Sequence, residues 1–144
     1  MSAPDKKRLL WVDDDPAPID AIIEAVRQHF DVRVVRTLGD AVAAVKNAYR
    51  ARLSGYIVDL DLPMRNAPSE LNIESMGTSP LNSGQAFVRW LRRVDPNAKV
   101  LYLTQQPGYF DSAIAGGEAA VVGKRDEAAR RHNIIETIRK ELNL

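Results

Sequence analysis

The stretch GYIVDLDLPM, residues Gly55 to Met64, is an apolar run that ends in two aspartates separated by one leucine. A short continuous apolar run is typical of a strand that is covered on both faces in a parallel sheet. Asp59 and Asp61 therefore stand at the carboxyl end of the predicted strand, where open α/β sheets form their sites. The stretch predicts a buried strand that delivers carboxylates to a functional edge.

The rest of the chain alternates in the same way between apolar runs and segments with helical periodicity. The predicted strands are Arg8–Val12, Asp31–Arg36, Gly55–Asp59, Lys99–Thr104 and Ala119–Lys124. Apolar residues at helical spacing follow each of the first three strands and the fifth, and a short helix is predicted over Tyr109–Ala115. This alternation predicts an α/β fold, a doubly wound five-stranded parallel sheet with right-handed crossovers and about five flanking helices.

One segment interrupts this pattern. Residues 64–83 are rich in Asn, Ser, Pro and Met without sustained periodicity, which predicts an extended loop. The loop borders the predicted site, so a lid, a docking surface for a partner and a disordered insert are all open interpretations. At 144 residues the chain is long enough to bury one core, and residues 1–144 are expected to form a single domain.

Composition excludes several classes of function. The net charge is +1, from 20 basic and 19 acidic residues, so the charge gives no indication of a nucleic acid or membrane partner. The chain has no cysteine, which excludes disulfides, thiol nucleophiles and Cys-ligated metals. The N-terminal residues contain too few apolar positions for a signal peptide or a membrane span, and a cytoplasmic location is expected.

Polar residues follow four of the predicted strands. The first strand ends at Asp13, Asp14 and Asp15, and the third, fourth and fifth end at Asp59, Thr104 and Lys124. Parallel strands bring these ends to one edge of the sheet. Crowded carboxylates need a charge that offsets their repulsion, and Mg²⁺ with oxygen ligands supplies one. An aspartate beside such a cation can attack phosphorus, while the metal, the ammonium and the hydroxyl stabilise the phosphoryl oxygens.

The motifs LLWVDDD, VDLDLP, LYLT and VVGK resemble, in this order, those of the receiver domains of two-component response regulators. The resemblance extends from Leu9 to Leu142 and implies the flavodoxin-like strand order 2-1-3-4-5. It implies that Asp59 accepts a phosphoryl group. Asp13, Asp14, Asp59 and the backbone carbonyl of Asp61 would then bind Mg²⁺, with Mn²⁺ as an alternative.

The resemblance also implies the remaining roles and partners. Thr104 and Lys124 would contact the phosphoryl oxygens and complete the catalytic set with Asp59. A sensor histidine kinase or a histidine phosphotransfer protein would donate the phosphoryl group, and a downstream protein of unknown identity would receive the signal. The chain would be a signalling phosphoacceptor rather than an enzyme, with only self-phosphorylation and self-dephosphorylation chemistry. No direct contact with nucleic acid or membrane is expected.

The sequence departs from the receiver pattern in four places. Gln105 replaces a small residue after Thr104, Val121 replaces an aromatic residue, and Arg125 replaces a proline after Lys124. A cis bond before a non-proline residue is costly, so either a trans peptide or a strained turn is expected there. The fourth departure is the extended loop at 64–83. Gln105, Val121 and Arg125 favour an alternative, a pseudo-receiver that binds proteins through the extended loop, independently of phosphorylation.

A third hypothesis is a phosphatase. The pair Asp59 and Asp61 also fits the D-x-D motif of haloacid-dehalogenase-like phosphatases, in which the first Asp is the nucleophile and the second the general acid. That motif normally opens its chain, whereas here a strand, an acidic triad and two helices precede it. This alternative is therefore the least favoured of the three.

Overall fold

The structure of the chain is a computed structural model, and it is described for residues 6–47, 53–60, 62, 67–71, 83–104 and 119–144, without the side chain of Ala128. The strands are β1 (Arg8–Val12), β2 (Asp31–Val35), β3 (Leu53–Val58), β4 (Val100–Thr104) and β5 (Ala120–Gly123). The α-helices in these ranges are α1 (Asp20–Arg27), α2 (Leu38–Lys46), α3 (Ser83–Val94) and α4 (Ile134–Leu142). About five helices were expected, and the short one predicted over Tyr109–Ala115 lies outside the described residues.

The five strands form one parallel sheet in the order β2-β1-β3-β4-β5. The prediction of an α/β sheet with order 2-1-3-4-5 is therefore confirmed. β1 lies between β2 and β3, with Trp11 opposite Val34 on one side and Ile57 on the other. A strand in this position is covered on both faces, which explains why its sequence is apolar without alternation.

Two cores cover the two faces of the sheet. Leu10 and Val12 of β1 pack in the cluster that contains buried apolar residues of α2 and α3. Leu9 and Trp11 face the other way, into the cluster that contains the buried residues of α1 and α4. Because successive side chains of a strand point to opposite faces, one short apolar segment contributes to both cores.

Local signals explain where several helices begin and end. A short 3-10 helix at Ala17–Ile19 precedes α1, in the proline-containing stretch that follows β1. α2 begins after Thr37, whose hydroxyl accepts a hydrogen bond from the Asp40 amide at 3.0 Å, as an N-cap residue does. α4 ends at Leu142 and is followed by Asn143, which adopts the left-handed conformation with φ 55° that often terminates a helix.

Part of the predicted 64–83 loop is described and is packed on the protein. A 3-10 turn spans Ser69–Leu71, and Leu71 is buried in the cluster on the α2 and α3 side. Glu70 forms an ion pair with Lys46 of α2 at 2.9 Å. Within the described ranges, no helix combines the length and the apolar character that a membrane crossing requires.

Candidate functional site

The sheet itself fixes the backbone of three predicted site residues. The Asp13 amide donates to the last carbonyl of β2 at 3.0 Å, and the Asp59 amide donates to the last carbonyl of β1 at 2.9 Å. The Lys124 amide donates to the last carbonyl of β4 at 2.8 Å. Each residue thus extends a parallel ladder by one hydrogen bond beyond the strand end. All three side chains are therefore delivered to the same edge of the sheet.

Lys124 bridges two carboxylates in the interior of this edge. Its Nζ lies 2.8 Å from Asp13 Oδ2 and 3.0 Å from Asp59 Oδ2. The side chains are only 5%, 1% and 6% exposed for Lys124, Asp13 and Asp59. The contact with Asp59 is a hydrogen bond, whereas Asp13 Oδ2 makes a close ion pair without hydrogen-bond geometry. One buried ammonium group therefore offsets two buried carboxylates.

These contacts change the acidity of Lys124. Burial is the largest single influence and lowers the pKa of Lys124, because it disfavours the charged ammonium. The close negative charges of Asp13 and Asp59, together with the hydrogen bond to Asp59, act in the opposite direction and outweigh burial. The pKa of Lys124 is raised above its ordinary value of 10.5. The side chain is therefore a cation at neutral pH.

The loop after β1 is held by contacts of its own. Asp13 Oδ1 accepts a hydrogen bond from the Asp15 amide at 2.9 Å. The guanidinium of Arg36 donates to the Asp14 carbonyl through Nε at 3.2 Å and through Nη2 at 3.1 Å. Sequence reasoning missed Arg36, although its position directly after β2 puts a cation at the same edge of the sheet.

The donor set at this edge fits a divalent cation. Asp13, Asp14 and Asp59 each offer one carboxylate oxygen, and these three atoms lie within 4.8 Å of one another. Two oxygens on opposite sides of one Mg²⁺ are about 4.2 Å apart, so a small side-chain adjustment would let the three share an ion. Hard oxygen donors suit Mg²⁺ or Mn²⁺. Asp61, whose carbonyl was predicted as a further ligand, lies outside the described residues.

Thr104 lies at the same edge of the sheet. It is 1% exposed, and it is the last residue of β4, opposite Gly123 of β5. The carbonyl of Thr104 accepts the hydrogen bond from the Lys124 amide. The topology therefore brings together Thr104, Lys124, Asp13, Asp14 and Asp59, which are all the predicted site residues within the described ranges.

The described residues include some of the places where the sequence departs from the receiver pattern. The chain has no cis peptide bond among its described residues, so the bond between Lys124 and Arg125 is trans. The turn there is closed by Asp126, whose Oδ2 accepts a hydrogen bond from the Gly123 amide at 2.8 Å. Val121 is half-buried and lies opposite Tyr102 of β4. Gln105 lies outside the described residues.

The start of α3 contacts the backbone that follows Asp59. The Ser83 hydroxyl donates to the Leu60 carbonyl at 3.2 Å and accepts from the Leu62 amide at 2.8 Å. The Gly84 amide also donates to the Leu60 carbonyl, at 3.2 Å. Sequence reasoning took Gly84 only as the start of a helical pattern. A Ser-Gly pair at the start of an amphipathic helix was the available signal.

Comparison with solved structures, but not with family models or curated proteins, finds proteins similar to this chain. No protein-family model matches the sequence, and no curated protein matches it. Among solved structures, the chain is similar to a response regulator receiver domain protein from Methanospirillum hungatei JF-1, with 20% identity and a TM-score of 0.68 over 96% of this chain and 94% of that one. The chain has the receiver-domain fold.

Two further structures share this fold. A response regulator receiver protein from Sinorhizobium medicae WSM419 is 16% identical, with a TM-score of 0.68 over 98% of both chains. A protein described as an adenylate cyclase from Rhodopirellula baltica is 20% identical, with a TM-score of 0.67 over 96% of this chain and 88% of that one. At such low identity the likeness concerns the fold, and the site residues carry the argument about function.

Proposed function

We propose that the chain is a phosphoacceptor receiver domain, in which Asp59 accepts a phosphoryl group from a histidine kinase or a histidine phosphotransfer protein. The observation that carries the proposal is the cluster in which Asp59 contacts the Lys124 ammonium at 3.0 Å and has a carboxylate oxygen within 4.8 Å of carboxylate oxygens of Asp13 and Asp14. In such an arrangement the Asp59 carboxylate would act as the nucleophile, beside groups whose charge would stabilise anionic oxygens. The receiver-domain fold supports the proposal because the neighbours that share it include response regulator receivers.

In the proposed reaction, a carboxylate oxygen of Asp59 attacks phosphorus. The bond between phosphorus and the donor nitrogen breaks, the leaving imidazole takes up a proton, and the phosphoryl group remains on Asp59 as an acyl phosphate. In self-dephosphorylation, water attacks the phosphorus of the acyl phosphate, the bond from phosphorus to the Asp59 oxygen breaks, and the products are the free carboxylate and inorganic phosphate. The chain is thus modified once per cycle at its own side chain, which distinguishes it from an enzyme that turns over a separate substrate.

The other site residues have separate proposed roles. Lys124 is held at the site by its ion pairs with Asp13 and Asp59, and its ammonium would contact the oxygens of the incoming phosphoryl group. Thr104 would offer its hydroxyl to the same oxygens. Asp13, Asp14 and Asp59 would hold Mg²⁺ or Mn²⁺, together with the carbonyl of Asp61. The bound cation would supply charge that offsets the negative phosphoryl and carboxylate oxygens.

We include in this proposal the domain, location and partners predicted from the sequence. Residues 1–144 would act as one receiver-like domain, in the cytoplasm, with signal output through contacts with a downstream protein. The near-neutral total charge gives no reason to include direct nucleic acid or membrane binding. The segment at about 64–83 borders the site in the sequence, which makes it a candidate for the contact that selects a partner.

The test uses a small phosphodonor. The protein is incubated with acetyl phosphate and Mg²⁺, and its intact mass is measured. Wild type is expected to gain the mass of one phosphoryl group, Asp59→Asn is expected to gain none, and EDTA is expected to abolish the gain. Asp20→Asn, which changes an exposed aspartate of α1, is the matched control and should be modified like wild type. Unmodified wild type with both acetyl phosphate and phosphoramidate would overturn the proposal.

That negative outcome would favour the pseudo-receiver alternative. The observation in its favour is the substitution of an aromatic residue by Val121, which is half-buried opposite Tyr102. A pseudo-receiver would bind its partner equally well before and after treatment with phosphodonor. The phosphatase alternative would instead require steady hydrolysis of a phosphomonoester such as p-nitrophenyl phosphate, with loss of the activity in Asp59→Asn.

A further inference from the structure

We infer that Ser83 and Gly84, at the start of α3, are positioning residues that fix the Asp59 backbone and thereby orient its carboxylate toward the cation site. The inference rests on the proposed phosphoacceptor function, because it assigns residues to the same site. Neither residue is proposed to contact the phosphoryl group or the Asp59 carboxylate. Both act on the chain segment that carries Asp59, and we call this pair the Ser83–Gly84 clasp.

The Ser83 hydroxyl makes two hydrogen bonds to backbone that is distant in sequence. It donates to the Leu60 carbonyl, 23 residues away, and accepts from the Leu62 amide, 21 residues away. The Ser83 side chain is fully buried, so water cannot replace these bonds. A buried hydroxyl with both functions satisfied fixes two peptide groups at once. Ser83 therefore holds the chain just beyond Asp59 in one conformation.

Gly84 contributes through its lack of a side chain. A Cβ atom at this position would overlap the Asp59 carbonyl oxygen and would lie 2.8 Å from Leu60 Cα. Both are backbone atoms, which cannot rotate away as the end of a side chain can. The Gly84 amide, in turn, donates to the Leu60 carbonyl at 3.2 Å. The close approach of α3 to this segment thus requires glycine.

Together with the sheet, the clasp fixes Asp59 from both sides. The amide of Asp59 donates to the last carbonyl of β1, and the carbonyl of the next residue, Leu60, accepts hydrogen bonds from Ser83 and Gly84. The direction of a side chain follows from the backbone that carries it. Loss of the clasp would leave the hydrogen bond of the Asp59 amide in place but would free the Leu60 carbonyl and the Leu62 amide, and the Asp59 carboxylate would be held less firmly near Asp13 and Asp14.

The experiment compares cation affinity with stability. Ser83→Ala removes the hydroxyl, and Mg²⁺ affinity is measured by titration of Trp11 fluorescence, since Trp11 is buried in β1 two residues before Asp13. The expected result is a rise of about tenfold in the dissociation constant for Mg²⁺, as for other residues that orient metal ligands. Ser83→Cys keeps a weak donor and acceptor and is expected to fall between Ser83→Ala and wild type.

The matched control is Thr37→Ala, which removes the hydroxyl that caps α2. This variant should lower the thermal midpoint while its Mg²⁺ affinity stays at the wild-type value. A Ser83→Ala protein that loses stability but binds Mg²⁺ as tightly as wild type would show a structural role only and would overturn the inference. A wild-type protein that binds no Mg²⁺ would overturn the proposed function and the inference with it.

A measurement on wild type covers the case in which Ser83→Ala does not fold. Coupling between two events is reciprocal, so if the clasp strengthens Mg²⁺ binding, then Mg²⁺ strengthens the clasp by the same factor. Saturating Mg²⁺ should therefore slow hydrogen exchange of the Leu62 amide by about tenfold more than that of the Ala41 amide, which bonds to the Thr37 carbonyl in α2. Equal slowing of the two amides would contradict the inference.

Discussion

Removal of the Lys124 ammonium should destabilise the protein strongly when no divalent cation is present. Lys124→Met keeps a long apolar side chain but removes the charge that lies 2.8 Å from Asp13 and 3.0 Å from Asp59. At an effective dielectric constant near 20, each contact contributes about 5–6 kcal/mol of attraction before the cost of desolvation. The variant loses both contacts and leaves two buried carboxylates facing each other.

The net effect is smaller than that sum, because burying the ammonium already costs free energy in the wild type. Removing one partner of a buried ion pair typically costs about 3–5 kcal/mol, and we expect a loss of this size in the free energy of unfolding. Domains of this size have a total stability of about 5–15 kcal/mol, so the loss is a large fraction of it. Mg²⁺ should restore part of the stability, since the cation offsets the same two carboxylates.

The assay is urea denaturation at pH 7, followed by Trp fluorescence, once with EDTA and once with Mg²⁺. Lys46→Met is the matched control, because Lys46 forms an ion pair with Glu70 in which both side chains are largely exposed. Such an exposed pair contributes at most about 1 kcal/mol. If Lys124→Met and Lys46→Met unfold at the same urea concentration in EDTA, the electrostatic account of the site is wrong.

Three further predictions follow from the same geometry. Because the folded-state pKa of Lys124 is raised, the stabilising contribution of this residue is complete below the ordinary value of 10.5 and is lost as pH rises through the folded-state value. When the pH is raised above 10.5, the urea midpoint in EDTA should therefore fall more in wild type than in Lys124→Met. Arg36→Ala removes both hydrogen bonds from this guanidinium to the Asp14 carbonyl and should raise the Mg²⁺ dissociation constant by about tenfold in a fluorescence titration. Arg33→Ala, which removes a cation within β2, should leave that constant unchanged. Gly84→Ala should cost about 1–3 kcal/mol in urea denaturation and reduce acetyl phosphate modification, and unchanged modification would contradict the close approach to Asp59.

The amino-acid sequence was sufficient to predict the secondary structure order and the edge at which the site lies. Strands such as Arg8–Val12 are covered on both faces of the sheet, and a strand of this kind is a continuous apolar run in the sequence. Such a run can be identified from the sequence alone. The polar residues that end the strands were equally visible. Their meeting at one edge follows from the parallel arrangement alone, which is why Asp13, Asp59 and Lys124 could be assigned to one site.

The contacts that give this site its chemistry depend on the folded molecule. The bridge from Lys124 to Asp13 and Asp59 joins residues that are more than 60 positions apart, and the Ser83 hydroxyl reaches Leu60 across 23 positions. Periodicity reports the burial of a segment, whereas such contacts depend on strand register and on how closely α3 approaches the sheet. No local pattern records those distances, so the partners of each site residue emerge only when the segments are packed against one another.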